Sequence, residues 1–114
     1  MTSPKDGELL RIYLGELDKV DGRPRYELIV REAHRQGLAG ATVLSGVLGF
    51  GAGSRMHAAK ILELSSDLPV VVEIVDTPEH LAAFLPWLEA HLGNEALATL
   101  EKVRILSGGR PPPA

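Results

Sequence analysis

With 114 residues, 45% of them apolar and 24% charged, the chain has material for one domain with a single core and too little for two. A formal net charge of −3 argues against a nucleic-acid binder held by bulk attraction, and aromatics at 4% are too few for stacking platforms on single strands. The lack of cysteine excludes a disulfide scaffold, a thiolate metal site and a cysteine nucleophile, and no apolar run approaches the roughly 20 residues that span a bilayer.

Residues 1–7 are short and polar with no hydrophobic signal region, which leads to the expectation of a disordered N-terminus and a cytoplasmic protein. From 9 to 14 the residues alternate: Leu10, Ile12 and Leu14 point one way, Arg11 and Tyr13 the other, as in a strand with one face on a core. Asp21-Gly22 marks a turn, and Pro24 suits the first turn of a helix, where a missing N–H costs nothing. Tyr26, Ile29, Val30 and Ala33 follow helical spacing, with Arg25, Glu27, Arg31, Glu32 and Arg35 opposite them and Gly37 at the C-terminal end. Residues 41–48 read as a second strand, apolar enough to be central. Residues 70–75, a run of branched side chains after Pro69, read as a third. Thr77-Pro78 is a helix start, Leu81, Phe84, Leu85 and Leu88 form its apolar stripe, Pro86 should kink it, and Gly93 ends it. Residues 99–106 give a fourth strand, and 108–114 a disordered Pro-rich tail, leaving 8–107 as the folded domain.

The order β-α-β, connection, β-α-β predicts an α+β fold: a ferredoxin-like βαββαβ plait, a four-stranded antiparallel sheet with both helices on one face. The bare face, for which Leu48, Val71 and Val75 are candidates, would be covered by other subunits. The connection at 51–68 is longer than usual, which fits a functional loop; periodicity does not decide between strand and helix for 57–64.

Four glycines occur at 46–53, where the second strand ends: Gly46, Gly49, Gly51 and Gly53. Such a cluster, followed by Ser54, Arg55 and His57, offers exposed amides and positive charge to an anion; the rival reading is a bend with no ligand. Arg55, His57 and Lys60 are the loop cations available to phosphates. His34, His57, His80 and His91 are not paired at ligand spacing, so no metal site is expected. No serine among Ser45, Ser54, Ser65, Ser66 and Ser107 is framed by a nucleophile elbow, no partner fixes Glu63 and Asp67 as an acid/base pair, and no Walker lysine follows the glycines. The expectation is a protein that is not an enzyme and requires no cofactor.

Gly40-Ala41-Thr42-Val43, then Gly49-Phe50-Gly51, resemble the second strand and loop entrance of PII signalling proteins; the runs at 68–75 and 103–108 are similar to their third strand and the segment after the fourth. The closer similarity, over residues 9–106, is to an uncharacterised PII-like group, the domain of unknown function numbered one-ninety. Its distinctive runs here are 40–43, 46–51, Ser54-Arg55 and 67–73. The resemblance implies a homotrimer whose inter-subunit clefts bind an adenine nucleotide or similar small anion, and a 51–68 loop that controls a membrane transporter or other protein target. The charge and the few aromatics lead to the expectation of no nucleic-acid partner. Carried over, Gly40 and Thr42 would lie near the base, with Glu73 and Val75 lining its pocket. Gly49, Phe50 and Gly51 would stand beside the phosphates, Arg55 could touch the ligand, and Arg104 would approach from a neighbouring subunit. The phosphate-gripping loop before the last strand is replaced by residues 93–97, with an acid and no base; an aliphatic residue near Val70 replaces a lysine, and Leu106 replaces a second arginine. With fewer cations, bound ADP or AMP is expected over ATP, and without a tyrosine at 51–68 control by tyrosine modification is not expected. The alternatives are a constitutive trimeric interaction module without a nucleotide site, or a divalent-metal-binding trimer of the CutA type.

Overall fold

The computed structural model describes residues 3–51, 57–58, 67–94 and 96–108. Its long elements follow the expected order: β1 (Lys5–Gly15), α1 (Arg25–Arg35), β2 (Gly40–Ser45), β3 (Pro69–Asp76), α2 (Pro78–His91) and β4 (Leu97–Ile105). The four strands form one antiparallel sheet ordered β2-β3-β1-β4. This is the ferredoxin-like arrangement, with the first and third strands central, so β2, expected to be central from its apolar run, is an edge strand.

Alternation along β1 and β3 decides which side becomes the core. Leu10, Ile12 and Leu14 pair in register with Ile74, Val72 and Val70, and all six are buried. Ile29 and Ala33 of α1 and Leu81, Phe84 and Leu88 of α2 close over them. Both helices therefore lie on one face. β4 pairs with β1 along its whole length yet contributes no buried residue, so it extends past the helical layer.

Local chemistry sets the element ends. Asp21 (φ 51°) and Gly22 (φ 80°) form the two-residue turn of a small ribbon between Lys19–Val20 and Arg23–Pro24, a turn that needs left-handed backbone at both positions. Because Pro24 is held in that ribbon, it lies at the N-cap of α1 rather than inside its first turn, and the helix begins at Arg25. Arg25 N–H donates to the Asp18 carbonyl at 2.7 Å. The Thr77 hydroxyl caps α2 by accepting from His80 N–H, and Pro78 takes the first helical position. Expected to kink α2, Pro86 lies on its exposed side, and the helix runs through it from Pro78 to His91. Gly93 ends the turn at φ 80°; a Cβ there would also stand 3.0 Å from the Arg25 guanidinium carbon. That guanidinium reaches the Asp18 carboxylate at 2.9 Å and the His91 carbonyl at 2.5 Å, tying the start of α1 to the end of α2.

Two boundaries differ from the sequence reading by three residues or more. β1 begins at Lys5, ahead of the strand expected from Leu9, because Lys5, Asp6 and Gly7 pair with Ile105, Arg104 and Val103. β2 stops at Ser45 instead of continuing to Leu48. Its last pair is Ser45 with Val70; beyond it Gly46 N–H donates to the carbonyl of Pro69, a residue with no N–H to return. The chain then forms a second ribbon, Leu48–Gly49 with His57–Ala58. Within 57–64 the described pair His57–Ala58 is strand; the remainder lies outside the described residues. The tail at 109–114 lies outside them too.

Candidate functional site

The helices close over the centre of the sheet, so the openings collect at its ends and along the edges that the helices leave uncovered. At the start of β2 a cavity of about 190 Å³ is lined by Lys5, Gly40, Val75, Asp76, Ile105 and Ser107. Gly40 pairs with Val75, and a Cβ on Gly40 would meet nothing within 4 Å, so the missing side chain leaves open space there. One floor residue is a buried carboxylate. Asp76 is 1% exposed and accepts from Ala39 N–H at 3.0 Å and Thr77 N–H at 2.6 Å, with His80 Nδ1 at 3.1 Å. These bonds join the last residue of β3 to the entry of β2 and the cap of α2, which fixes the shape of the cavity.

At the opposite end of β2 a second cavity, of about 280 Å³, is lined by Tyr13, Gly46, Gly49, Phe50, Gly51 and Pro69 among others. Gly46 and Gly49 do not owe their place to left-handed backbone: the positive-φ glycines among the described residues are Gly22, Gly37, Gly93 and Gly108. For Gly46 the reason is proximity. A Cβ on Gly46 would come within 3.0 Å of Pro69 Cγ, whereas one on Gly49 would stand at an ordinary 3.5 Å from the same ring. Val47, Leu48 and Phe50 are 85%, 63% and 66% exposed, an apolar rim beside the glycines.

A third opening, of about 590 Å³, lies between the start of α2 and β4, lined by Asp6, Glu8, Pro78, Lys102 and Arg104. Arg104 is weakly engaged there: its Nε stands 3.9 Å from the Asp6 carboxylate and its Nη2 3.4 Å from the Pro4 carbonyl.

The structure thus brings Gly40 beside Val75, Thr42 beside Glu73, and Gly49, Phe50 and Gly51 around one cavity, but it does not gather these groups into one pocket of a single chain. Arg104 stands apart from both, and Arg55 and Lys60 lie outside the described residues. Among the described residues no group of three or more His, Asp or Glu side chains is placed to hold a metal ion. Likewise, no helix of the described residues is long and apolar enough to cross a membrane.

One residue carries more than the sequence assigned to it. Arg11 donates from Nε to the Glu73 carboxylate at 3.1 Å and from Nη1 to that of Glu101 at 2.6 Å, linking three strands on the open face. Hydrogen bonds to Glu101 and then Glu73 raise its pKa above the ordinary arginine value, so the guanidinium is a fixed charge. The alternation that put Leu10 and Ile12 inward already set Arg11 outward; its partners come from strands about 60 and 90 residues away, and no local pattern names them. Lys5 and Lys102 were missed for a like reason, since each becomes part of an opening only through register with another strand.

Comparison with known proteins agrees with this architecture. A UPF0166 protein of Aquifex aeolicus is 36% identical over 99 residues, covering 87% of this chain and 92% of its own length. A UPF0166 protein of Methanocaldococcus jannaschii is 35% identical over 101 residues, covering 89% and 93%. Among solved structures, CPII of Thiomonas intermedia K12, a nitrogen regulatory PII-like protein bound to ADP, AMP and bicarbonate, superposes with a TM-score of 0.61 at 21% identity, over 96% of this chain and 93% of that one. At that identity the likeness establishes a PII-like fold. The model of the family DUF190, described as "Uncharacterized ACR, COG1993", matches residues 7–105, and the chain belongs to that family.

Proposed function

We propose that this protein is a non-enzymatic, PII-like regulator that binds an adenine nucleotide, ADP or AMP in preference to ATP, in clefts between the subunits of a cytoplasmic homotrimer. Ligand occupancy at the glycine corner then sets the state of the 51–68 segment, which favours or blocks a protein partner such as a membrane transporter. The observation that carries this reading is the division of the site. Gly40 and Val75 line one cavity, Gly49 to Gly51 another, and Arg104 a third. A cleft completed by a second subunit joins such half-sites, with Gly40, Thr42, Glu73 and Val75 around the base, the glycine corner and Arg55 at the phosphates, and Arg104 arriving from the neighbour. Support comes also from CPII, which shares the fold and is bound to ADP, AMP and bicarbonate. Regulation follows by linkage: a ligand that binds one state of the segment better shifts the population toward it.

Calorimetric titration with ADP, AMP and ATP tests the reading. Heats for ADP and AMP with ATP weaker are expected; no heat at millimolar concentration for any of the three overturns it. A trimer that takes up no nucleotide would leave the constitutive interaction module, a reading favoured by the exposed apolar rim at Val47, Leu48 and Phe50.

A further inference from the structure

We propose that Arg11 makes the open face of the sheet coverable by a second copy of this chain, by compensating the Glu73 carboxylate at the centre of that face. The inference rests on the assembly proposed above and adds the residue on which that assembly depends.

The open face is built in rows across the four strands. Leu44, Val71, Tyr13 and Leu97 form one row by register, and Val75 and Leu9 belong to another. Between them runs a polar row: Thr42, Glu73, Arg11 and Thr99. Leu44 and Leu97 are 48% and 46% exposed, so the outer ends of the apolar row lie in water in the single chain. Covering these rows buries apolar area, but the same step strips water from Glu73, which sits between them. An unpaired carboxylate there opposes the contact. Arg11 meets it at 3.1 Å, and the two side chains are similarly part-buried, 32% and 30% exposed. The central pair is therefore neutral before any second copy arrives. Glu101, on the edge strand, is 56% exposed and keeps its hydration at the rim.

The occupant is a second copy because this chain offers complementary charge to itself. By alternation β1 and β4 carry Lys5 and Glu101 on the open-face side, so the open face of one copy presents both signs to another. A planar guanidinium serves because it engages two carboxylates on opposite strands at once, which an ammonium reaches less well.

Sedimentation or light scattering across a concentration series reads the effect in wild type, Arg11→Met, Arg11→Lys and Arg11→Met/Glu73→Gln, with circular dichroism reporting folding. Arg11→Met is expected to weaken self-association by about tenfold or more, since it leaves a carboxylate to be covered unpaired. Arg11→Lys should retain most of it. Removal of the orphaned charge in the double variant should restore it, a rescue that a purely local structural role of Arg11 would not give. Folded Arg11→Met protein that assembles like wild type overturns the inference, as does a double variant no better than the single one. Should Arg11→Met fail to fold, the double variant carries the test alone: wild-type assembly supports the role and a monomer refutes it. A wild-type protein that stays monomeric at every concentration removes the assembly reading itself, an outcome distinct from the failure of Arg11.

Discussion

The two faces of the sheet come from the same strands and meet opposite fates. On the helix side of β1 and β3, Leu10, Ile12, Leu14, Val70, Val72 and Ile74 are at most 5% exposed. One residue along, on the open side, Leu9, Arg11, Tyr13, Val71, Glu73 and Val75 are all only half-buried. Period-two alternation is equally regular on both sides; what differs is that two helices are long enough to roof one side and none remains for the other. The closed face stores the stability of the chain. The open one keeps apolar area and a charge network unspent, which is where association has room to act.

The largest effect that separates the faces should come from Phe84, which is fully buried beneath α2. Phe84→Ala is expected to cost about 3–5 kcal/mol in urea unfolding, through lost burial and the cavity left behind. Val71→Ala, on the open side, should cost about 1 kcal/mol in dilute protein, and more where subunits associate. Equal losses at both positions in dilute protein would break the distinction between the faces.

Asp76 comes next, because it joins the closed core to the first cavity. Asp76→Ala leaves the N–H groups of Ala39 and Thr77 without the carboxylate they donate to. A loss of about 1–3 kcal/mol is expected, read by thermal or urea unfolding, together with weaker nucleotide binding as the start of β2 loosens. A variant with native stability would show that water replaces the carboxylate without strain.

The glycine corner sharpens the comparison at smaller amplitude. A Cβ on Gly49 finds ordinary contact with Pro69, whereas one on Gly46 is crowded at 3.0 Å. Gly49→Ala should therefore unfold within about 1 kcal/mol of wild type, while Gly46→Ala destabilises further as the Pro69 ring is pushed away. Any fall in nucleotide affinity for Gly49→Ala then reports the site and not the fold. Unchanged affinity would detach the glycine corner from the ligand.

Much of this architecture was legible in the sequence because local rules and the fold agree. Alternation at 9–14, the Asp21-Gly22 turn and the Thr77-Pro78 start each named their element, and the order of elements named the plait. The misplacements arose where a distant strand decides. β2 stops early because Pro69, more than 20 residues on, cannot return a hydrogen bond, and β1 starts early because Val103 to Ile105 are there to pair with it. Of the candidate site residues, register makes Gly40 a neighbour of Val75 and Thr42 a neighbour of Glu73, an adjacency that spacing along the chain does not reveal. Arg11 stayed hidden because its partnership with two glutamates is a product of register.

The smallest expected effect lies on α1, away from both faces of the sheet, and so serves as their common reference. Glu32 accepts from Arg35 Nε at 2.8 Å and from Gln36 Nε2 at 2.7 Å, and these bonds, Arg35 first, lower its carboxyl pKa from 4.5 to about 2. A carboxylate whose folded pKa is depressed adds stability that is fully present above its unfolded value and is lost as pH falls. Here the loss should run from about 4.5 down through about 2. NMR titration of the side-chain carboxyl in wild type and in Arg35→Met checks the cause: removing the guanidinium should move the midpoint back up toward the ordinary value. Because the Arg35 side chain is 71% exposed, water screens the pair although Glu32 itself is 12% exposed, and Glu32→Gln should change thermal stability at pH 7 only modestly and leave self-association untouched. A Glu32→Gln variant that dissociated the assembly would mean that α1 also lies in the contact, and the open face of the sheet would no longer be its sole basis.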